Sequence, residues 1–355
     1  MATYKSIKYL VPVEAVEHTD SINALADVDT NTVAPTDGQT IKWNGTNWVP
    51  ADIEEESSGT QKAIFGFGSP SGVTNVSNLV SSSGVVATDT TGVGTARTGI
   101  AAAGYGDDKA IFGFGKNDNG ETNVTNLVSN AGVVASDTTG VGTSRGFLAA
   151  AGYGGDKAIF GFGNTASNNR KNMTNLVSSS GVVATDTTGV GTSRSNLAAA
   201  GYGSDKAIFG FGEIGDPYNM TNLVSNTGVV ATDTNGVGTA RQRLPGSGYG
   251  GDKAIFGFGG SDYSSTTNVT NLVSNTGVVA SDSTGVGTAR WGSAAAGYGG
   301  DKAIFGFGNF VNYGYDSYAI NTVNLVSNAG VVASDTTGVG TARHRLAAAG
   351  YSTTA

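Results

Sequence analysis

Lys62-Ala63-Ile64-Phe65-Gly66-Phe67-Gly68 recurs letter for letter from Lys109, Lys157, Lys206, Lys253 and Lys302, at spacings of 47 to 49 residues. Each copy is followed by Asn-Leu-Val-Ser, starting at Asn78, Asn126, Asn175, Asn222, Asn271 and Asn324. A third marker, Gly-Val-Gly-Thr-Ala/Ser-Arg, ends at Arg97, Arg145, Arg194, Arg241, Arg290 and Arg343. Six units with the markers in one order make a repeat protein, in which each unit buries its apolar face against its neighbours. The apolar runs are short, and Gly, at 56 of 355 residues, interrupts them. Gly is costly inside a helix, and runs this short are strand-length, so the units read as strands joined by tight turns.

The unit from Leu148 to Gly191 shows the expected division into four strands. Leu148–Tyr153 is strand a, Gly154-Gly155-Asp156 a hairpin turn, Lys157–Phe162 strand b, Met173–Val177 strand c and Val182–Thr185 strand d. Strand b is apolar on both alternations and needs cover on both faces. Strand a, made of Ala and Gly, suits a crowded inner position. The first unit lacks a strand a, because Gly59-Thr60-Gln61 leads straight into Lys62, while Leu346–Tyr351 supplies a spare one at the other end. The expected fold is therefore all-β, a six-bladed β-propeller of four-stranded blades over residues 58–355. The C-terminal strand would close it and leave no open sheet edge. The small-residue strand, Gly-Asp turn, Ile-Phe-Gly-Phe-Gly strand and variable loop together resemble a kelch repeat. The units depart from that family in having Phe-Gly where Gly-Gly is usual, and no Trp in strand d.

Residues 1–57 contain no copy of the repeat. Ile41–Val49 reads as a β-hairpin with a type I′ turn at Asn44-Gly45, and Ile53–Gly59 as a hydrophilic linker. Leu25–Asp29, Pro35–Gln39, Trp43-Asn44-Gly45 and Trp48-Val49-Pro50 resemble a module of bacteriophage tail-fibre and other virion structural proteins. The resemblance implies a place in the virion, attachment to other virion proteins through this region, and homo-oligomerisation through the same module. Met1–Leu10 lacks the apolar core of a signal peptide, which implies synthesis in the host cytoplasm.

The formal net charge of -8 and a pI of about 4.7 argue against nucleic acid or an anionic membrane as the main partner. There is no cysteine, and His18 and His344 are the only histidines, so thiolate and His-cluster metal sites are excluded and no cofactor is expected. No apolar run approaches the ~20 residues of a membrane-spanning helix.

The copies differ in two places. One is the b–c loop: Ser69–Thr74, Lys116–Thr122, Asn164–Asn172, Glu213–Asn219, Gly260–Thr267 and Asn309–Ile320. The other is the pair after each marker arginine: Thr98-Gly99, Gly146-Phe147, Ser195-Asn196, Gln242-Arg243, Trp291-Gly292 and His344-Arg345. Strand alternation puts both at one face, and loops on a rigid scaffold are where binding resides. The candidate face for a host-surface glycan or protein is Phe147, Tyr218, Arg243, Tyr263, Trp291, Phe310, Tyr313, Tyr315, Tyr318 and Arg345, aromatic platforms for sugar rings flanked by hydrogen-bonding groups. Loop drift without a role is the alternative.

Two readings are open for the marker arginines. They form an anion-binding ring at that face, or each braces its own blade against Asp89, Asp137, Asp186, Asp233, Asp282 or Asp335. Identical placement in every copy favours bracing. The face also carries Glu121, Glu213, Asp216, Asp262 and Asp316, scattered over different blades, with no evident carboxylate pair for glycoside hydrolysis. The expected function is thus non-enzymatic: a phage virion structural protein, a tail fibre or similar appendage, with a host-binding face. A virion decoration or assembly protein and a cellular kelch-like interaction propeller are the alternatives.

Overall fold

A computed structural model of the chain describes residues 39–43, 46–52, 61–166, 169–262, 264–312 and 316–353. The chain divides into two compact units, Met1–Ser57 and Ser58–Ala355. In the first, Gln39–Trp43 pairs antiparallel with Trp48–Asp52, ending at Trp43↔Trp48. The connection is residues 44–47, longer than the two-residue turn expected. Asn44, Gly45, the linker residues 53–59 and the Leu25–Gly38 part of the phage-module resemblance lie outside the described residues.

The second unit is all-β. Its described residues form six three-stranded antiparallel sheets, with two short two-stranded ones in the b–c loops. The second is Ala101–Tyr105, Lys109–Gly113 and Thr125–Val128; the third is Ala149–Tyr153, Lys157–Gly161 and Thr174–Val177. The fourth is Ala198–Tyr202, Lys206–Gly210 and Thr221–Val224; the fifth is Gly246–Tyr249, Lys253–Gly257 and Thr270–Val273. The sixth, Ala294–Tyr298, Lys302–Asn312 and Asp316–Val326, has a long hairpin between its last two strands. The first sheet takes its inner strand from the far end of the chain: Ala347–Ser352 pairs with Gln61–Gly66, which pairs with Ser77–Val80. The inner strand of each sheet lies against those of its two neighbours, in the order first to sixth and then sixth to first.

The expected fourth strand is not a ladder. In the first unit the segment after Gly84 touches the third strand at two isolated bridges, Val80↔Val86 and Ser77↔Thr90, and the other units repeat this pattern. The outer segment spends one residue more than the strand it faces between those bridges, which interrupts the ladder as a bulge does. The Asn78 side chain fills the gap, donating from Nδ2 to the Ala87 carbonyl at 3.0 Å and to Asp89 Oδ1 at 2.8 Å.

Phe-Gly-Phe-Gly explains how the sheets pack. The first Phe of one unit meets the second Phe of the unit before it, as in Phe67 with Phe112, Phe114 with Phe160 and, from the last unit to the first, Phe307 with Phe65. All six such pairs have ring centroids 5.1–5.4 Å apart. The intervening Gly makes room: a Cβ at Gly113 would come within 2.7 Å of the Phe160 ring. The second Phe has a φ of 61–64° in all six units, a conformation that bulky residues rarely adopt. It is held there by burial between the neighbouring Phe and a marker arginine, whose guanidinium lies 4.0–4.8 Å over its ring in every unit.

The marker arginines lie inside the scaffold and not on its surface: five are 0% exposed as side chains and Arg241 is 1% exposed. Each pairs with an aspartate of the predicted series, but with that of the following unit. The pairs run from Arg97–Asp137 to Arg290–Asp335, and Arg343 pairs with Asp89 of the first unit, at 3.3–3.9 Å. The bracing is therefore between units. Burial pushes the guanidinium of Arg97, Arg145, Arg194, Arg290 and Arg343 down to about 10, with the partner aspartate acting the other way, so the cation persists at neutral pH. Burial works to raise the Asp137 carboxyl, but hydrogen bonds from Thr95 and Asn126 outweigh it and hold it below the ordinary value.

Candidate functional site

The pair after each marker arginine is hydrogen-bonded to the b–c loop of the following unit, the last unit to the first. The residue after each marker arginine bridges the start of a b–c loop: Thr98↔Lys116, Gly146↔Asn164, Ser195↔Glu213, Gln242↔Gly260, Trp291↔Asn309 and His344↔Ser69. The residue after that has positive φ in all six units, 53–65°, at Gly99, Phe147, Asn196, Arg243, Gly292 and Arg345. Their backbones form one cycle of N–H···O=C bonds. Phe147 donates to Gly99, Asn196 to Phe147, Arg243 to Asn196, Gly292 to Arg243, Arg345 to Gly292 and Gly99 to Arg345, at 2.6–2.9 Å. At the other end of the inner strands the turns are joined similarly, with Gly154 donating to Asp205 and Gly203 to Asp252. Where the chain's two ends meet, Ser352 donates to Asp108 and Gly299 to Gln61.

Two of the six ring positions are glycine, at no steric cost for positive φ. The other four carry side chains on the same backbone, which is strained for Phe and Arg. Phe147, Arg243 and Arg345 are half-buried in this ring. The Arg345 guanidinium lies 5.3 Å over the Phe147 ring and 5.4 Å over Trp291, and that of Arg243 lies 5.6 Å over Trp291. Gly99, between Arg345 and Phe147 in the cycle, leaves the room for that contact: a Cβ there would stand 2.9 Å from the Phe147 ring.

Trp291 departs from the exposed platform expected of it. It is 4% exposed, packed edge-on against His344 at 5.1 Å with the two guanidiniums over it. It supports the ring. Burial, and Arg345 beside it, push the His344 imidazole down to about 4, so it is neutral at pH 7. Tyr218 and Tyr318 are exposed, at 37% and 54%. Phe310 is half-buried and pairs with Tyr318 across the sixth sheet's hairpin, with ring centroids 5.3 Å apart. Tyr263, Tyr313 and Tyr315 lie outside the described residues.

Three carboxylates expected on scattered blades line one cleft of about 560 Å³, beside the ring and over the fourth sheet: Glu213, Asp216 and Asp262. Phe147, Arg170, Asn196, Gln242 and Arg243 share its wall. Its floor is built around the buried Glu213. Arg170 Nη2, from the third sheet's loop, donates to Glu213 Oε2 at 2.6 Å, and Ser195 Oγ donates to Oε1 at 2.5 Å. Asn196 Nδ2 and the Gly215 amide complete the set, at 3.2 and 2.7 Å. Burial works to raise the Glu213 carboxyl, but the bonds from Arg170 and Ser195 hold it below the ordinary value. The only hint of this site in the sequence is that Glu213 is the one acid among the six residues that follow Phe-Gly-Phe-Gly. That Arg170, 43 residues earlier, reaches it depends on how adjacent sheets stand.

Among the described residues no group of three or more His, Asp or Glu side chains is placed to hold a metal ion. No helix of the described residues is long and apolar enough to cross a membrane. A scan against protein-family models matches none to this chain, and a search of curated proteins returns no match.

Proposed function

We propose that this chain is a non-enzymatic structural protein of a bacteriophage virion, a tail fibre or similar appendage, that binds a glycan or protein of the host surface. In this reading residues 58–355 form a closed, kelch-like six-bladed β-propeller and residues 1–57 attach it to the particle. The cyclic order of the inner strands, the pairing of Ala347–Ser352 with Gln61–Gly66 and the two cycles of backbone hydrogen bonds support the closed ring. The resemblance of the N-terminal sequence supports the virion.

One observation carries the binding reading. The copies largely agree where they pack against one another, Gly246-Ser247 in the fifth inner strand being an exception, and differ most where the b–c loops meet the axial ring. There, four of six strained backbone positions carry large or polar side chains that the scaffold does not require, since glycine serves at the other two. Binding of the labelled full-length chain to a panel of bacterial cells tests it. Adsorption that is saturable and falls at least about tenfold in the double variant Tyr318→Ala, Arg345→Ala supports the reading. Binding to purified virions and to no cell favours the assembly protein instead.

A further inference from the structure

We propose that the cleft over the fourth sheet is a subsite for an uncharged saccharide; this rests on reading the loop end as the binding face and names the ligand class for one part of it. The cleft's volume of about 560 Å³ falls in the range of roughly 300–1,000 Å³ of small-molecule sites. Its polar floor is fixed before any ligand arrives. Glu213 takes four donors from three stretches of chain, around Arg170, Ser195-Asn196 and Gly215, so little side-chain freedom remains to be lost on binding.

The chemistry of the wall selects the class. Amides of Asn196 and Gln242 both donate and accept, which matches hydroxyl groups that do the same. Among the described residues Phe147 is the one aromatic ring in the wall, with its backbone locked in the axial cycle, and it offers a flat apolar surface for the C–H face of a sugar ring. Charge decides against an acidic sugar. Three carboxylates face two guanidiniums, and Arg170 is already committed to Glu213. Asp216 and Asp262 are both exposed at the mouth. Hydrogen bonds from Ser264 hold the Asp262 carboxyl below its ordinary value, so it stays an anion. A uronate or sialate entering the cleft would meet these charges, whereas a neutral polyol would meet acceptors.

The test is titration of the full-length chain, by calorimetry and ligand-observed NMR, with methyl glycosides of glucose, galactose and N-acetylglucosamine, with lactose and maltose, and with glucuronic and galacturonic acids. At least one neutral probe should saturate at millimolar concentration and bind more tightly than the acids. Phe147→Ala and, on the exposed loop, Asp216→Ala should each weaken it by about tenfold, while Val278→Ala, exposed in the outer segment of the fifth sheet and away from the varied loops, leaves it unchanged. Asp216→Lys should move the preference toward the uronates. The proposal is overturned if no neutral probe saturates, if a uronate binds more tightly, or if neither Phe147→Ala nor Asp216→Ala weakens binding. Cell adsorption measured on the same samples separates the two levels. Adsorption without neutral-sugar binding sinks the subsite and leaves the binding face standing. Neutral-sugar binding without adsorption does the reverse.

Discussion

Leu346→Ala, set against Leu148→Ala, measures how tightly the chain's last strand holds the first sheet. The two leucines occupy equivalent places just before an inner strand, and each is 5% exposed. Leu148 packs in a cluster with Phe114 and Phe160, and Leu346 in one with Phe65 and Phe307. A Cβ at Gly163 would stand 2.8 Å from Leu148 Cβ, and one at Gly68 would stand 2.9 Å from Leu346 Cβ, so the two sites are equally tight. Cutting a buried Leu to Ala costs about 2–5 kcal/mol, and sites that collapse alike cost alike. If Ala347–Ser352 is as firmly held as an internal strand, both variants lose stability in urea by that amount and agree within about 1 kcal/mol, the usual context scatter being small for matched sites. A terminal strand that frays would already expose Leu346, and its truncation would cost under about 0.5 kcal/mol. That outcome, with Leu148→Ala still costing several kcal/mol, would show that the last strand is not held as firmly as an internal one. Hydrogen exchange gives an independent reading: amides of Ala347–Tyr351 should be protected like those of Ala149–Tyr153.

Gly113→Ala places a methyl group 2.7 Å from the Phe160 ring and should destabilise by about 1–3 kcal/mol in urea unfolding. Gly155→Ala, which meets nothing within 4 Å, should cost only the roughly 1–2 kcal/mol of its positive φ. Arg145→Ala removes a buried side chain, its cation over Phe114, its hydrogen bonds to the Phe162 carbonyl and Asn175 and its pair with the part-exposed Asp186, and should cost about 2–5 kcal/mol where a surface arginine would cost under about 1. Stability should also fall in acid in two stages. The unfolded His344 titrates near 6.5 and the folded one at about 4, so the unfolded state binds the extra proton between these values. Stability is full above about pH 6.5 and drops by up to about 1.4 kcal/mol per unit below it. His344→Asn should remove that stage and leave the second. The second comes from Asp89, Asp137, Asp186, Asp233, Asp282 and Asp335, whose lowered values keep their contribution until the pH falls below the ordinary Asp range. Urea midpoints measured from pH 7 to 3 check both.

Strands a to c, the tight turns between a and b, and the place of Leu346–Tyr351 were legible in the sequence because each rests on local pattern repeated six times. Small residues, Gly-Asp turns and apolar runs carry their meaning within a few residues of themselves. The failed fourth strand was a local error of another kind. Val-Val-Ala-Thr has strand composition, but its register against Asn-Leu-Val is one residue out of step, and only pairing reveals that. The marker arginines were visible as a repeated feature, yet which aspartate each one meets depends on how one sheet stands beside the next. Trp291 looked like a surface platform because a large aromatic in a varied position says nothing about what covers it; Arg243 and Arg345 do, from elsewhere in the cycle. Glu213 and Asp216 on one loop and Asp262 on the next unit's read as unrelated acids until adjacent sheets brought them to one cleft. Periodicity and composition are properties of the chain, so the sequence alone settled the repeat, its first three strands and its varied segments. Burial, ion pairing and the cleft are properties of neighbours far apart in the chain, and tertiary packing alone decided them.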